Sequence, residues 1–318
     1  MLKVSVLLCT HNPKDGYITR TLEALKDQTL PRDQWELMLI DNSSADPLAG
    51  RYDLSWHPNG RHLLEKELGL TPARMCGIAN ASSELLVFVD DDNVLRPDYL
   101  AKAVEIAEKH PFLGAWGGNT KGVYEVTPPE WFGKWAEYIG VKKHDRFNWT
   151  NVPCNAKCSP IGAGLCVRRA VAVAYAEEQK NSDELKLDRC GDLLLGCGDL
   201  DLAYHSVKLD MGYAVTPELE LDHLIPAGRL TEEYLERLVD QTMFSGAFLQ
   251  FKWGQIDKSF SPPGWKSRQL KRWRNRGKSA IDRKLNEAID RGYARGRLML
   301  GSGMTQQAFL ALQAGGKK

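Results

Sequence analysis

The apolar residues of this chain fall into short runs, and each run ends in polar residues. Residues 4–9 form the first run and end in Thr10-His11-Asn12-Pro13. Residues 35–40 form the second and end in Asp41-Asn42-Ser43-Ser44. Residues 85–89 form the third and run straight into Asp90-Asp91-Asp92-Asn93. Runs of this length, with β-branched and aromatic members, predict strands buried on both faces. Between them, residues 18–28 have helical spacing with Leu22 and Leu25 inward, and residues 72–81 read as a helix carrying Arg74. Pro97 suits a first helical position, and Pro111 ends that helix near Lys109. Strand, helix and strand in succession predict a mostly parallel α/β sheet.

The polar ends carry the chemistry. Open α/β sheets place ligands at the C-terminal ends of their strands. Three strands deliver Thr10 to Asn12, Asp41 to Ser43 and Asp90 to Asp92 to one edge, with Arg74 beside them. Alternation along an extended chain puts Asp90 and Asp92 on one side and Asp91 on the other. Two like charges ~4 Å apart repel by about 4 kcal/mol at an effective dielectric near 20. A divalent cation shared with a substrate phosphate relieves that repulsion. The plainer alternative is a solvated acidic turn, and each Thr, Asn, Asp or Ser alone is an ordinary turn residue. Their recurrence at successive strand ends favours a crevice for a base, a ribose and a diphosphate. The chain has no GxGxxG and no GxxxxGK[ST], so neither a dinucleotide fingerprint nor a P-loop is present.

These pieces resemble a family 2 glycosyltransferase of the GT-A fold. The matching stretches are residues 5–12, Leu39-Ile40-Asp41-Asn42-Ser43-Ser44, Ala73-Arg74 with Gly77-Ile78-Ala79, and Phe88-Val89-Asp90-Asp91-Asp92. The match covers roughly the first 225 residues, giving a catalytic domain over 1–225 and a helical, basic extension over 226–318. Met75 stands where the family has Asn after the Arg. The resemblance implies a nucleotide-diphosphate sugar donor, a UDP-sugar first, and a divalent metal, Mn2+ or Mg2+. It puts Asp41 and Arg74 at the base, Asp91 near the ribose and Asp92 on the metal. Thr10, His11, Asn12 and Asp90 complete the expected donor site.

Further along, residues 115–119 read as a strand and glycine turn, and residues 128–155 as an irregular insert. Trp131, Trp135, Tyr138, His144 and Trp149 in that insert suit sugar stacking or ordinary packing equally. Residues 160–169 match the family's small-residue strand beside the donor sugar. Residues 195–202 resemble its G-E-D-x-[DE]-L segment, with Gly198 in place of Glu and Asp199 kept. The resemblance makes Asp199 the catalytic base, and a carboxylate can take the proton of an attacking hydroxyl; the plainer alternative is an N-cap of the next helix. Asp201 is assigned to helix capping or an arginine contact. Residues 218–223 form a last short strand ending in His223, a candidate metal ligand whose imidazole suits manganese better than magnesium. Arg229 is assigned to the donor diphosphate, with an ion pair to a surface acid as the alternative, and Thr231 to the N-cap of the next helix. The Ile225-Pro226 and Arg229-Leu230-Thr231 run is similar to bacterial polysaccharide-assembly glycosyltransferases, whose acceptors are saccharides or lipid-linked sugars.

The expected activity is a metal-dependent, inverting transfer of a hexosyl group to an acceptor hydroxyl. A sugar-phosphate nucleotidyltransferase would carry a glycine-rich loop with a basic residue after the first strand, which Thr10 to Pro13 is not. Gly198 leaves a non-catalytic nucleotide-sugar-binding protein as the other alternative.

Composition adds boundaries. The chain has 318 residues, 43% hydrophobic and 26% charged, with net charge +1, so its total charge does not call for nucleic acid. From 266 to 297, twelve basic residues meet three acidic ones, with Trp265 and Trp273 nearby. This tract suits either a helical pair packed on the catalytic domain or peripheral contact with anionic lipid. Seven cysteines suggest a reducing compartment; neither Cys154 with Cys158 nor Cys190 with Cys197 has the second pair a zinc site needs. The start lacks a signal-peptide pattern, and no apolar run reaches the ~20 residues of a membrane span, so a cytoplasmic location is expected.

Overall fold

The computed structural model describes residues 2–181, 186–260 and 275–302. In chain order the elements begin with β1 (Val4–Thr10), α1 (Asp15–Lys26), β2 (Trp35–Asn42), β3 (Gly60–Glu65), α2 (Leu70–Asn80) and β4 (Leu85–Asp90). They continue with β5 (Asn93–Leu95), α3 (Tyr99–Lys109), β6 (Leu113–Tyr124), β7 (Asn148–Thr150), β8 (Cys166–Arg168) and α4 (Arg169–Asn181). The last described elements are α5 (Gly198–Lys208), β9 (Gly212–Ile225), α6 (Glu232–Lys252) and α7 (Ala280–Ser302).

The sheet order is β3-β2-β1-β4-β8-β6-β9-β5, with β7 paired to β9. The predicted parallel arrangement holds for β3, β2, β1 and β4. β8 then runs antiparallel to both β4 and β6, and β6 and β9 pair in parallel. Every residue of β1 and β2 is buried, including Ser5 and Glu36, where Ser5 Oγ donates to Glu36 Oε1 at 2.6 Å. The two faces of β1 feed different cores. Val4, Val6 and Leu8 pack with Ile18, Leu22 and Leu25 of α1 and Leu100 of α3. Leu7 and Cys9 pack with Ala73 and Ile78 of α2, Tyr175 of α4 and Leu202 of α5. Period-two alternation in a strand apolar on both faces thus produces a helix–sheet–helix sandwich.

Several boundaries differ from the sequence reading for identifiable reasons. The helix placed at 18–28 starts at Asp15, and α3 starts at Tyr99 rather than Pro97. The glycine turn at 115–119 is instead the middle of β6, which continues to Tyr124. A register shift between Gly117 and Asn119 lets the strand stay paired with β9. A Cβ on Gly118 would lie 2.1 Å from the Leu219 carbonyl oxygen, so the glycine permits the close crossing of a β-bulge. The strand expected at 160–169 is paired only over β8; Gly164 before it has φ +70° and accepts a bond from Tyr99 Oη at 2.7 Å. The short strand at 218–223 is the second half of the longer β9.

α6 and α7 pack side by side in the same chain direction, Lys284 beside Glu236 and Gly296 beside Phe244, through an apolar seam and flanking charges. Leu235, Leu238 and Val239 meet Ile281, Leu285 and Ala288, and Phe132 and Trp135 join the same cluster. Trp135 Nε1 donates to Asp282 Oδ1 at 3.0 Å, so this tryptophan of the insert packs rather than facing a ligand. The basic residues of α7 face the acids of α6: Lys284 meets Glu236 at 3.1 Å, Arg291 meets Asp240 at 3.0 Å, and Arg295 meets Asp240 at 2.8 Å. Trp265, Trp273 and residues 315–318 lie outside the described residues. Among the described residues no helix is long and apolar enough to cross a membrane.

Two glycines in this pair of helices should respond oppositely to alanine. A Cβ on Gly292 would lie 2.0 Å from the Asp240 carbonyl oxygen, whereas Gly246 has nothing within 4 Å. Urea denaturation should show Gly292→Ala less stable by about 1–3 kcal/mol through overpacking. Gly246→Ala should be more stable by up to about 1 kcal/mol through helix propensity.

Candidate active site

Register brings the polar strand ends together. Thr10 stands opposite Asp41, and Cys9 opposite Asp90, so the three parallel strands finish level with one another. The turns that follow are laced across the edge. His11 Nδ1 lies 2.8 Å from the Asn42 carbonyl oxygen. Asn12, in the left-handed region at φ 49°, donates its backbone N–H to Ser44 Oγ at 2.9 Å, and its Oδ1 accepts from Ala45 N at 2.8 Å. Both Asp41 oxygens accept backbone N–H groups, from Ser44 at 2.9 Å and Leu48 at 3.0 Å. Burial opposes that charge, but these bonds outweigh it and hold the Asp41 carboxyl below its usual range. Asp41 and Asn12 thus shape the turns behind the cleft, while Thr10, His11 and Asn42 line it.

The cleft has a volume of ≈ 770 Å³, and Asp90, Asp91 and Asp92 all line it. The alternation expected for these acids stops at Asp90, where β4 ends; Asp91 and Asp92 form a tight turn into β5. Asn93 closes the turn, accepting from Asp90 N at 3.1 Å and donating to Asp92 Oδ1 at 2.9 Å. Thr10 Oγ1 donates to Asp91 Oδ2, and Thr21 Oγ1 of α1 donates to the Asp91 carbonyl at 3.1 Å. β5 pairs with β9 so that Asn93 faces His223, which sets His223 beside the acids. Asp92 Oδ2 lies 3.4 Å from His223 Nε2 and 3.1 Å from Arg229 Nη1. Arg229 therefore meets a carboxylate directly. Burial works against the Asp92 charge, yet His223 and Arg229 hold its carboxyl far below the usual range. Burial, then the neighbouring Asp92, pushes Asp91 up to about 7 and raises Asp90 as well.

The second acidic element enters from α5. Cys197 turns the chain at φ 85°, so that the helix starts at Gly198 and presents Asp199 in its first turn. Asp199 Oδ2 accepts from Gly162 N at 2.6 Å and Oδ1 from Leu200 N at 2.8 Å. Burial raises its carboxyl, against the pull of Arg74. Asp201 neither caps the helix nor meets an arginine: Lys252 at 2.7 Å and Trp253 Nε1 at 2.9 Å hold its carboxylate and tie α5 to α6. The helix offers Asp201 the side away from the cleft, where α6 supplies a lysine.

Arg74 reaches the cleft wall as a buried cation, 3% exposed. Its Nη1 lies 3.1 Å from Asp188 Oδ2, which also accepts from Thr71 Oγ1 at 2.9 Å. Asp188 and Arg189 escaped the sequence reading because they lie in an unpatterned loop with no motif around them. Arg189 also lines the cleft, and its charge helps to lower Asp90 and Asp92. Leu238, Thr242, Met243 and Leu249 of α6 form a largely apolar wall, and Tyr138 is the one large aromatic of the 128–155 insert among the lining residues. Cys9, Cys154 and Cys197 line it as free thiols.

An α/β sandwich with acids at the strand ends and an acidic helix start across the cleft has the GT-A architecture. The chain belongs to glycosyl transferase family 2, whose profile matches residues 5–162. It is 26% identical over 141 residues to the poly(ribitol-phosphate) beta-N-acetylglucosaminyltransferase TarS of Staphylococcus aureus, covering 41% of this chain and 24% of TarS. It is 27% identical over 124 residues to the glycosyltransferase AglE of Haloferax volcanii, covering 38% of this chain and 40% of AglE. The matched region therefore spans well under half of these relatives. In fold it is similar to TarS 1-349, with a TM-score of 0.50 and 14% identity over 95% of this chain and 92% of that one. It is also similar to the mannosyltransferase PcManGT of Pyrobaculum calidifontis, solved with GDP-Man and Mn2+, with a TM-score of 0.51 and 19% identity over 99% and 79%.

The shifted carboxyl of Asp91 makes stability depend on pH. Its folded pKa of about 7 lies above the unfolded value of about 4. The folded state therefore binds the extra proton, and stability from this group is full below about pH 4 and lost as pH rises through about 7. Asp91→Asn removes that loss. Urea denaturation without added metal should show the variant gaining stability relative to the natural chain between pH 5 and 8, with the least difference near pH 4.

Proposed function

We propose that this chain is a metal-dependent, inverting glycosyltransferase that moves a sugar from a nucleoside diphosphate to an acceptor hydroxyl. One observation carries the reading: Asp199 and the Asp90 to Asp92 cluster line the same cleft, one from a helix start and the other from a strand end. Family membership supports the reaction class.

The residues present fit a divalent cation that shares its ligands with a diphosphate. Asp92 Oδ2 and His223 Nε2 converge at 3.4 Å, and His223 Nδ1 is buried without a hydrogen-bond partner. Among the described residues no group of three or more His, Cys, Asp or Glu forms a complete metal cage. Asp92 and His223 would thus hold the cation from one side, and donor phosphate oxygens would complete its shell. A carboxylate with an imidazole suits manganese better than magnesium. When bound, the cation neutralises charge on the leaving diphosphate.

The remaining steps belong to the side chains. Thr10, His11 and Asn42 face the nucleoside end of the cleft, and Arg189 and Arg229 supply positive charge for the diphosphate. Asp199 takes the proton of the acceptor hydroxyl. The acceptor oxygen bonds to the anomeric carbon while that carbon's bond to the diphosphate oxygen breaks, and the electron pair leaves with the diphosphate. A single displacement inverts the anomeric configuration. A UDP-sugar is the donor to test first, with a saccharide or lipid-linked sugar as acceptor beside the apolar wall of α6.

Calorimetric titration with UDP and with GDP should show tight binding only when Mn2+ is present, and Asp92→Ala should abolish the metal-dependent part. Equal affinities with and without metal for both nucleotides would remove the cation from the scheme. Asp199→Asn should lower turnover about 10²–10⁴-fold with little change in donor affinity. A purely structural Asp199 would instead leave turnover near that of the natural chain.

A further inference from the structure

Gly198 opens α5 at a point where no side chain fits. A Cβ built there would lie 2.2 Å from Asp188 Cγ and 2.3 Å from each of its carboxylate oxygens. The volume that a residue at 198 would fill holds the carboxylate of a residue ten positions earlier. That carboxylate is 6% exposed and makes a buried ion pair with Arg74, while Thr71 Oγ1 donates to it.

The pair sits against Asp199. Gly162 lies between them: a Cβ there would be 2.7 Å from Arg74 Nη2 and 3.4 Å from Asp199 Oδ2. Guanidinium and carboxylate are thus close neighbours, but Asp199 Oδ2 takes its bond from Gly162 N and not from Arg74. Arg74 Nη1 is turned to Asp188 instead.

We propose that Asp188 supplies from outside the helix the carboxylate that position 198 lacks, and acts as a positioning residue that keeps Arg74 from becoming the counterion of Asp199. The consequence for catalysis rests on the reading of Asp199 as the base. A base paired with a buried guanidinium gives up its affinity for protons. With Asp188 ionised, the guanidinium charge is balanced and Asp199 remains free to accept one. The direction of the electrostatics agrees, since Arg74 lowers the Asp199 carboxyl and Asp188 raises it. The same arrangement accounts for Gly198 where the family pattern has Glu: the charge is kept and its origin in the chain is moved.

The test reads the ionisation of Asp199 directly, by 13C NMR of the full chain labelled at aspartate carboxyls, with Asp199→Asn used to assign the signal. In Asp188→Asn the Asp199 titration should move down by about one to two pH units, the effect of an unbalanced charge some 6 Å away. In Asp188→Ala/Gly198→Glu the carboxylate returns from the helix side, and both the titration and the melting temperature should recover towards the natural chain. Gly198→Glu alone should be destabilised by collision with Asp188. A folded Asp188→Asn with unchanged Asp199 titration overturns the proposal. Removing one partner of a buried pair is strongly destabilising. Should Asp188→Asn not fold, Asp188→Asn/Arg74→Met removes both charges, and the proposal then requires a folded protein in which Asp199 does not titrate lower than in the natural chain. A lower titration in that variant overturns it. These readouts do not depend on turnover, so loss of the proposed function through an active Asp199→Asn would be seen separately.

Discussion

Negative charge gathered on one edge of the sheet is the constraint around which this protein is arranged. Asp90, Asp91, Asp92, Asp188 and Asp199 line one cleft. Carboxylates at such separations repel strongly in a partly desolvated site. The structure answers this locally rather than globally. Arg229 and His223 face Asp92, Arg74 faces Asp188, and Asp91 tends to keep a proton. Each partner comes from a different element: Arg74 from α2, His223 from β9 and Arg229 from the turn that follows it. The acids themselves thereby bind distant parts of the chain into one site.

The strands explain why the edge is so exact in its alignment. β1, β2 and β4 are parallel, largely apolar and of similar length, so the polar residues at their ends fall within one residue of level. Parallel strands buried on both faces leave the C-terminal edge as the place where polar side chains can meet solvent or a ligand. The cross-sheet partner β9 then brings His223 opposite Asn93, and the bulge at Gly117 and Gly118 allows β6 and β9 to remain paired along their length. The α6 wall is held from outside by the ion pairs of α7, so the cleft is finished by a part of the chain far from the acids in sequence.

How much of this was legible in the sequence depended on whether a residue's neighbours in the chain were also its neighbours in space. β1, β2 and β4 were legible because a short, mostly apolar run ending in polar residues has few other stable arrangements. β3 was not: it is an edge strand with no run, and Leu64 on it is 60% exposed. The glycines of β6 read as a turn because a bulge and a turn use the same residue, and only the partner strand distinguishes them. The Asp90 to Asp92 acids stood out at the end of an apolar run, and Asp199 through its resemblance to the family's acidic segment. Asp201 carried the same signal, but its partners Lys252 and Trp253 lie on another helix. Asp188 offered no local pattern at all. Its role follows from the space left by Gly198 and the charge of Arg74, and neither is visible from the residues beside it.

The thiols in the cleft have a consequence for selectivity between nucleophiles. Cys9, Cys154 and Cys197 all line the volume that contains the acids. A thiolate is a far better nucleophile than a hydroxyl, and at an electrophilic sugar carbon it would compete with any acceptor. Burial first, reinforced by nearby carboxylates, pushes the Cys154 thiol up to about 11 and raises those of Cys9 and Cys197 well beyond their ordinary value. Burial therefore keeps sulfur protonated in a cleft crowded with acids, with Asp90 adding to it at Cys9 and Asp199 and Asp188 at Cys197. Burial thus lets a chain carry sulfur in its cleft and remain chemically silent towards an electrophile placed there.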